Sequence, residues 1–234
     1  MITERLVLER ENTPELIRLH VARYEFAKKF VRGKKVLDVA CGSGYGAAML
    51  KEAGAAKVIG VDLSNDAIEY AESHFQNRDI DFIVGNAEDL SAHRGFDVVV
   101  SFETIEHLQH PETFLAEIVR SLAPDGILII STPQRENGFL LEKPQNPFHV
   151  KEWTLDEFAM MLSKYFHIEK KYGQYGFEKK WFPYSRTLQR GVFRALFPER
   201  FAAIDSYPVL SQPPQYKGFR FRLDYMVVVC TGKK

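Results

Sequence analysis

The sequence predicts an α/β fold, a parallel sheet with helices on both faces. Three observations carry this. From Val36 onward, short apolar runs alternate with helical stretches, the pattern that strand–helix–strand units leave in a chain. One run, Phe96–Phe102 (FDVVVSF), is nearly all apolar, as a strand buried on both faces should be. A glycine-rich turn joins the first run to the helix after it, which is how open α/β sheets make room for a ligand.

The elements follow in order. Thr13 to Arg32 reads as a helix. Thr13 caps it, Pro14 sits where a missing N–H costs nothing, and Gly33 ends it. Leu16, Ile17, Val21, Tyr24, Phe26 and Phe30 give it a partly periodic apolar face. Val36–Ala40 is the first strand, and a helix runs on from the glycine turn through Leu50 to Gly54. Lys57–Val61 is the second strand, followed by a helix over Ser64–Phe75 with Ser64 as N-cap. Ile80–Val84 and Phe96–Phe102 are the third and fourth strands, Pro111–Leu122 a helix, and Ile127–Ser131 the fifth strand. Thr154 and Glu157 form a capping box for a helix reaching Lys164. Phe166–Tyr172 and Leu223–Cys230 are two last strands.

Composition narrows the function classes. The 234 residues hold 45% hydrophobic and 26% charged side chains, enough apolar surface for a core. No apolar run is long enough to span a membrane, the start MITERLVLEREN is no secretory signal, and the two cysteines make neither a disulfide framework nor a zinc site. A cytoplasmic protein is expected. Net charge is zero, which argues against a molecule-wide nucleic-acid footprint. The zero is an average, however. Residues 177–222 hold nine basic and three acidic side chains, a local net of +6, together with 11 of the 30 aromatics and 5 of the 11 prolines. The expected organisation is a helical N-terminal cap (1–33), a core (34–176), a basic aromatic insertion (177–222) and the last strand (223–234).

The first turn reads Val36-Leu-Asp-Val-Ala-Cys-Gly-Ser-Gly-Tyr-Gly46. Glycines there allow a tight turn and bare backbone near a ligand. The spacing Gly44–Gly46 departs from a dinucleotide fingerprint, and the Gly-Lys-Ser/Thr of a phosphate loop is absent. Asp62 ends the second strand beside this loop. A carboxylate there can accept both hydroxyls of a ribose, or cap the helix that Ser64 begins.

VLDVACGSGYG, VIGVDLS, GNAEDL and FDVVVSFETIEHL, in this order and spacing, make the chain from about Lys34 to Phe166 resemble the class I S-adenosylmethionine-dependent methyltransferases. The resemblance implies a Rossmann-like sheet of seven strands with the last antiparallel. It implies that Asp38 and the loop Gly42, Ser43, Gly44 hold the methionine end of the cofactor, with Ser101 close by. Asp62 would bind the ribose, Leu63 pack on the adenine, and Asn86 and Ala87 meet the adenine edge. Many relatives carry Asp where Asn86 stands. Arg23 and Tyr24 resemble residues that close over the cofactor, Arg23 pairing with its carboxylate.

The fourth strand runs into Ser101-Phe-Glu-Thr-Ile-Glu-His-Leu. If the segment turns helical, Glu103, Glu106 and His107 share a face. His149, in Asn146-Pro-Phe-His-Val-Lys-Glu-Trp-Thr, is a fourth candidate. The set suits a divalent metal, with two imidazoles tilting it from Mg toward Mn, Fe or Zn, and equally a metal-free general base. The Glu-x-x-Glu-His element is similar to that of small-RNA 3′-end 2′-O-methyltransferases and ubiquinone-pathway O-methyltransferases. Ser131-Thr-Pro133 with Asn-Pro-Phe-His looks like methyltransferases of bacterial glycan and natural-product clusters. In the insertion, Trp181, Tyr184, Arg186 and Arg190 suit an anionic, ring-bearing acceptor.

The expected activity is O-methylation of a hydroxyl on a sugar, glycan or similar small metabolite, by a monomer or homodimer. An RNA terminal ribose is the alternative acceptor. A non-catalytic S-adenosylmethionine-binding module and a nicotinamide oxidoreductase are the alternatives of other classes.

Overall fold

The computed structural model describes residues 14–75, 79–135, 144, 146–177, 209–212 and 221–233. Helix α1 spans Pro14–Ala27 and tightens into a 3-10 turn at Lys28–Phe30, so the helix expected to reach Arg32 ends earlier. The N-cap expected at Thr13 lies outside the described residues. The remaining elements are β1 (Lys35–Val39), α2 (Tyr45–Glu52), β2 (Lys57–Asp62), α3 (Asn65–Phe75), β3 (Ile80–Val84), β4 (Phe96–Phe102), α4 (Pro111–Ser121), β5 (Leu122–Pro133), α5 (Leu155–Leu162), β6 (Phe166–Phe177) and β7 (Phe221–Lys233).

One seven-stranded sheet has the order β3-β2-β1-β4-β5-β7-β6. Strands β1 to β5 run parallel, and β7 is antiparallel to both β5 and β6. The expected fold class is thus the observed one. The last two strands run further than expected because they pair with each other from Phe166↔Lys233 to Phe177↔Phe221. The insertion therefore departs from the far end of a long hairpin. Apart from residues 209–212, whose Leu210 exchanges two backbone bonds with Gly173, its interior lies outside the described residues.

The all-apolar strands have two buried faces, each with its own core. Val99 packs on one side with Leu37, Val39, Leu128, Phe114 and Phe158. Its neighbours Val98 and Val100 pack on the other with Val36, Ile129 and the residues of α1 and α2. Each such side chain removed from water contributes about 1.5–3 kcal/mol. Sequence capping signals hold as well. Ser64 Oγ accepts from the Ala67 N–H at 3.3 Å, and Thr154 with Glu157 makes the full capping box.

Strand order reverses around β1, whose neighbours β2 and β4 lead away in opposite directions. The crevice at the carboxyl ends of β1 and β4 is where such sheets take ligands. The glycine turn fills one side of it. Gly44 adopts φ +82°, and a Cβ there would meet Ala71 and Phe82 at 2.6–2.8 Å. A Cβ on Gly46 would meet the Tyr24 ring at 2.0–2.5 Å. These two glycines serve packing, and α1 rests on one of them. Gly46→Ala is expected to lower folding stability by about 2–3 kcal/mol through overpacking. Urea denaturation checks this; an unchanged midpoint would remove Tyr24 from its seat on the turn.

Candidate active site

A cavity of about 690 Å³ opens at the carboxyl edge of the sheet, within the size range of small-molecule sites. Its floor is the turn after β1 (Ala40, Cys41, Gly42), the end of β2 with Leu63, and Gly85–Ala87 after β3. Its second wall is the end of β4 and the segment after it (Glu103, Thr104, Glu106, His107), with Asn146, Phe148 and His149. Leu16, His20 and Tyr24 of α1 cover it.

On the first wall, Asp62 is fixed by backbone. Oδ2 accepts from the Gly42 N–H and Oδ1 from the Ser64 N–H, both at 2.9 Å. A carboxylate has about four acceptor positions, so two remain for hydroxyls. Gly42 lines the cavity at φ +55°, and a Cβ there would meet nothing within 4 Å. It is the glycine that bares backbone to a ligand. Leu63 is 69% exposed, apolar surface awaiting a cover. Asn86 lines the cavity, and its Oδ1 accepts from the Glu88 N–H, holding the turn.

Other expected cofactor residues stand behind the wall. Asp38 is fully buried, and the Tyr24 hydroxyl donates to its two oxygens at 3.1 and 3.2 Å. Burial, augmented by Asp62 and opposed by the Tyr24 bond, raises its pKa to about 7. Ser43, Gly44 and Ser101 are also buried away from the cavity lining. Arg23 lies within the fold. It is fully buried, donates Nη1 to Gln174 Oε1 at 2.6 Å, lies 3.9 Å from the Glu103 carboxylate and sits over the Tyr225 ring. Gln174 in turn donates to the Leu19 carbonyl. Arg23 thus joins α1 to the sheet through partners within the fold.

The second wall keeps three of the four expected chemical residues together. Ligand atoms of Glu106, His107 and His149 lie within 4.8 Å of one another. Glu103 is not among them. The segment forms only a 3-10 turn, Ile105–His107, and Glu103 before it takes φ +53°. That left-handed residue swings its carboxylate to Ser131 Oγ at 2.7 Å and toward Arg23. Glu106 is buried; Oε2 accepts from Thr132 Oγ1 at 3.0 Å, and Oε1 has no hydrogen-bond partner. Burial first, then the Glu103 charge, raises its pKa well above the usual carboxylate range. The His107 Nδ1 meets the Phe148 carbonyl at 3.0 Å, and its ring lies edge-on to His149, centroids 4.9 Å apart. Backbone strapping brings the two together, since the N–H groups of Val150 and Lys151 both meet the Glu106 carbonyl.

Among the described residues, no lysine or arginine lines the cavity, whereas Asp62, Glu103 and Glu106 do. The described lining therefore favours positive over negative charge in its neighbourhood. His20, overlooked in the sequence, also lines it. Burial and the Arg23 charge hold its pKa well below the usual imidazole value. The signal was present, because Leu16, His20 and Tyr24 recur every four residues on one helix face. Trp181, Tyr184, Arg186 and Arg190 lie outside the described residues.

Asp38 makes stability depend on pH. Its folded pKa, about 7, exceeds the ordinary 3.8, so its contribution is complete below pH 4 and is lost as pH rises to 7. At about 1.4 kcal/mol per unit the loss is bounded near 4 kcal/mol. Asp38→Asn removes this dependence. The gap between variant and parent in urea denaturation is expected to widen in the variant's favour from pH 4 to 7; parallel profiles would show Asp38 ionised throughout.

Comparison with known proteins agrees with this geometry. Residues 37–130 match a family model described as a methyltransferase domain. A probable S-adenosylmethionine-dependent methyltransferase of Mycolicibacterium smegmatis is 34% identical, covering 62% of this chain and 56% of its own. A ubiquinone biosynthesis O-methyltransferase of Thiobacillus denitrificans is 40% identical over 44% of this chain and 46% of its own. The YcgJ protein of Bacillus subtilis, 20% identical, shares the fold at a TM-score of 0.62, covering 92% of this chain and 99% of its own. The chain spans little more than half the length of the first curated relatives it matches. No helix among the described residues is long and apolar enough to cross a membrane. Over residues 37–130 the chain is thus similar to a methyltransferase domain and to these S-adenosylmethionine-dependent relatives.

Proposed function

We propose that the chain methylates a hydroxyl group of a sugar, glycan or similar small metabolite, with S-adenosylmethionine as methyl donor. The observation that carries this is the pairing of two unlike walls. One exposes glycine backbone and a backbone-held carboxylate, and the other presents two imidazoles and a carboxyl group. The first wall fits the donor. Gly42 leaves open space where a side chain would stand, Asp62 has acceptor positions for ribose hydroxyls, and Leu63 offers exposed apolar surface. The carboxylates lining the cavity, with no lysine or arginine among its described residues, suit a donor that carries positive charge.

S-adenosylmethionine supplies an already activated methyl group on a sulfonium sulfur, so what the protein must add is placement of the acceptor and removal of its proton. An amine needs little such help, but a hydroxyl needs a base. His107 and His149 supply ring nitrogens at the cavity, and Glu106 lies beside them. Relatives named as ubiquinone O-methyltransferases support oxygen as the target. A terminal ribose of RNA would lay a run of phosphates along a lining that holds Asp62 and Glu103, which favours a small acceptor.

The bare Glu106 Oε1 favours a second reading, in which the same three residues hold a divalent cation. One carboxylate and two imidazoles suit Mn, Fe or Zn over Mg. Such an ion would lower the pKa of an acceptor hydroxyl.

Calorimetry is expected to show S-adenosylhomocysteine binding and NAD not binding; the reverse would overturn the assignment. Asp62→Ala removes charge-assisted bonds of about 1.5–3 kcal/mol each, so affinity should fall at least about 100-fold. A transfer assay with labelled donor, offering nucleotide sugars and RNA oligomers, decides the acceptor, and preferential labelling of RNA would refute the sugar reading. Titration with Mn²⁺, repeated on His107→Ala/His149→Ala, decides between base and cation.

A further inference from the structure

The loop that carries His149 holds a chain of hydrogen bonds whose backbone and amide donors fix the direction of the rest. The Phe148 N–H can only donate, and it meets Asn146 Oδ1 at 3.0 Å. This turns the amide nitrogen of Asn146, which also only donates, toward His149 Nε2 at 3.0 Å. His149 must therefore accept at Nε2. Its other nitrogen, Nδ1, lies 2.6 Å from Glu152 Oε1 and donates to that carboxylate. Both side chains are largely shielded, 8% and 15% exposed, so the bond is weakly screened. His149 and Asn146 line the cavity, and Glu152 lies beyond the lining.

We propose that Glu152 is a positioning residue. It locks His149 in the Nδ1–H tautomer and so presents the Nε2 lone pair at the cavity, where Asn146 holds the place of an acceptor hydroxyl. In the proton step, the acceptor O–H bond breaks and its proton goes to His149 Nε2. The electron pair stays on oxygen, which forms the new bond to the methyl carbon as the carbon–sulfur pair returns to the donor sulfur. The imidazolium left behind keeps its Nδ1–H bond to Glu152. His107 follows the same rule with a weaker partner, because its Nδ1 meets the uncharged Phe148 carbonyl at 3.0 Å. The Glu106 carboxyl lies 4.0 Å from His107 Nε2, beyond hydrogen-bond reach, whereas His149 has a carboxylate bonded to its ring, the support that a developing positive charge calls for. This rests on the reading that the cavity receives a hydroxyl acceptor, but the tautomer itself is measurable without any acceptor.

The test is nitrogen NMR of the full chain labelled at histidine, with His149 assigned by loss of its signals in His149→Ala. In the parent protein, the His149 Nε2 signal is expected at the unprotonated position and Nδ1 at the protonated one. Glu152→Gln exchanges a charged acceptor for a neutral one, and the ratio of Nδ1–H to Nε2–H forms should fall about tenfold or more. Glu152→Asp should restore part of the ratio. S-adenosylhomocysteine binding by calorimetry should be unchanged in both variants, which reports the cofactor wall separately. An Nε2–H tautomer in the parent, or a ratio that Glu152→Gln leaves unaltered, would overturn the proposal. If Glu152→Gln does not fold, the parent spectrum alone decides.

Discussion

Burial of the central strands on both faces is the constraint from which the site follows. Val98, Val99 and Val100 alternate between two apolar cores, as do Leu128, Ile129 and Ile130. A strand with no wet face leaves polar residues few places to go. Asp62, Glu103 and Glu106 accordingly fall at or just beyond strand ends, where backbone N–H groups and hydroxyls bond to each of them, leaving the buried Glu106 Oε1 bare of hydrogen bonds. Asp38, the exception within β1, is answered by Tyr24 from a different element. The polar crevice is thus the complement of the apolar sheet, and its position is set where the order reverses around β1.

Legibility divides along the same line. Features that depend on local chemistry were readable in the sequence. The all-apolar run gave β4, Ser64 and Thr154 gave helix starts, and the glycine turn with Asp62 marked the edge of the sheet where the cavity opens. Features that depend on long-range pairing were not. Spacing put Glu103 on a face with Glu106 and His107, but no periodicity reveals that Glu103 would adopt φ +53° and turn to Ser131. Arg23 looked free to meet a ligand carboxylate, because its neighbours Gln174, Glu103 and Tyr225 are 80 to 202 positions away in the chain. The three glycines looked equivalent. Their surroundings separate them, since Gly42 faces open space, Gly44 faces Ala71 and Phe82, and Gly46 faces Tyr24.

The charge balance of the chain acquires a spatial meaning. Zero net charge conceals a basic stretch of +6 within 177–222, while the described cavity wall is lined by carboxylates. Strands β6 and β7 carry the two ends of that stretch, and β7 also contributes Tyr225 to the cavity. Acidic wall and basic connection are therefore joined through a single hairpin.

The two walls differ in how they are held. The glycine wall is short in sequence. Gly42 and Asp62 are 20 residues apart and joined directly by a backbone bond, so nothing there has to be assembled from afar. The chemical wall is assembled from two segments 43 residues apart, Glu106 and His149, and what joins them is one carbonyl receiving two N–H groups. Sharing a single acceptor fixes the height of the loop over the turn but leaves ring rotation undetermined. The remaining freedom is removed by side chains, with Phe148 oxygen setting the His107 ring and Glu152 setting that of His149. A loop held in this way can orient lone pairs without a rigid helix beneath it. The tautomer of each imidazole then becomes a property of the loop sequence Asn146–Glu152 as much as of the histidines themselves.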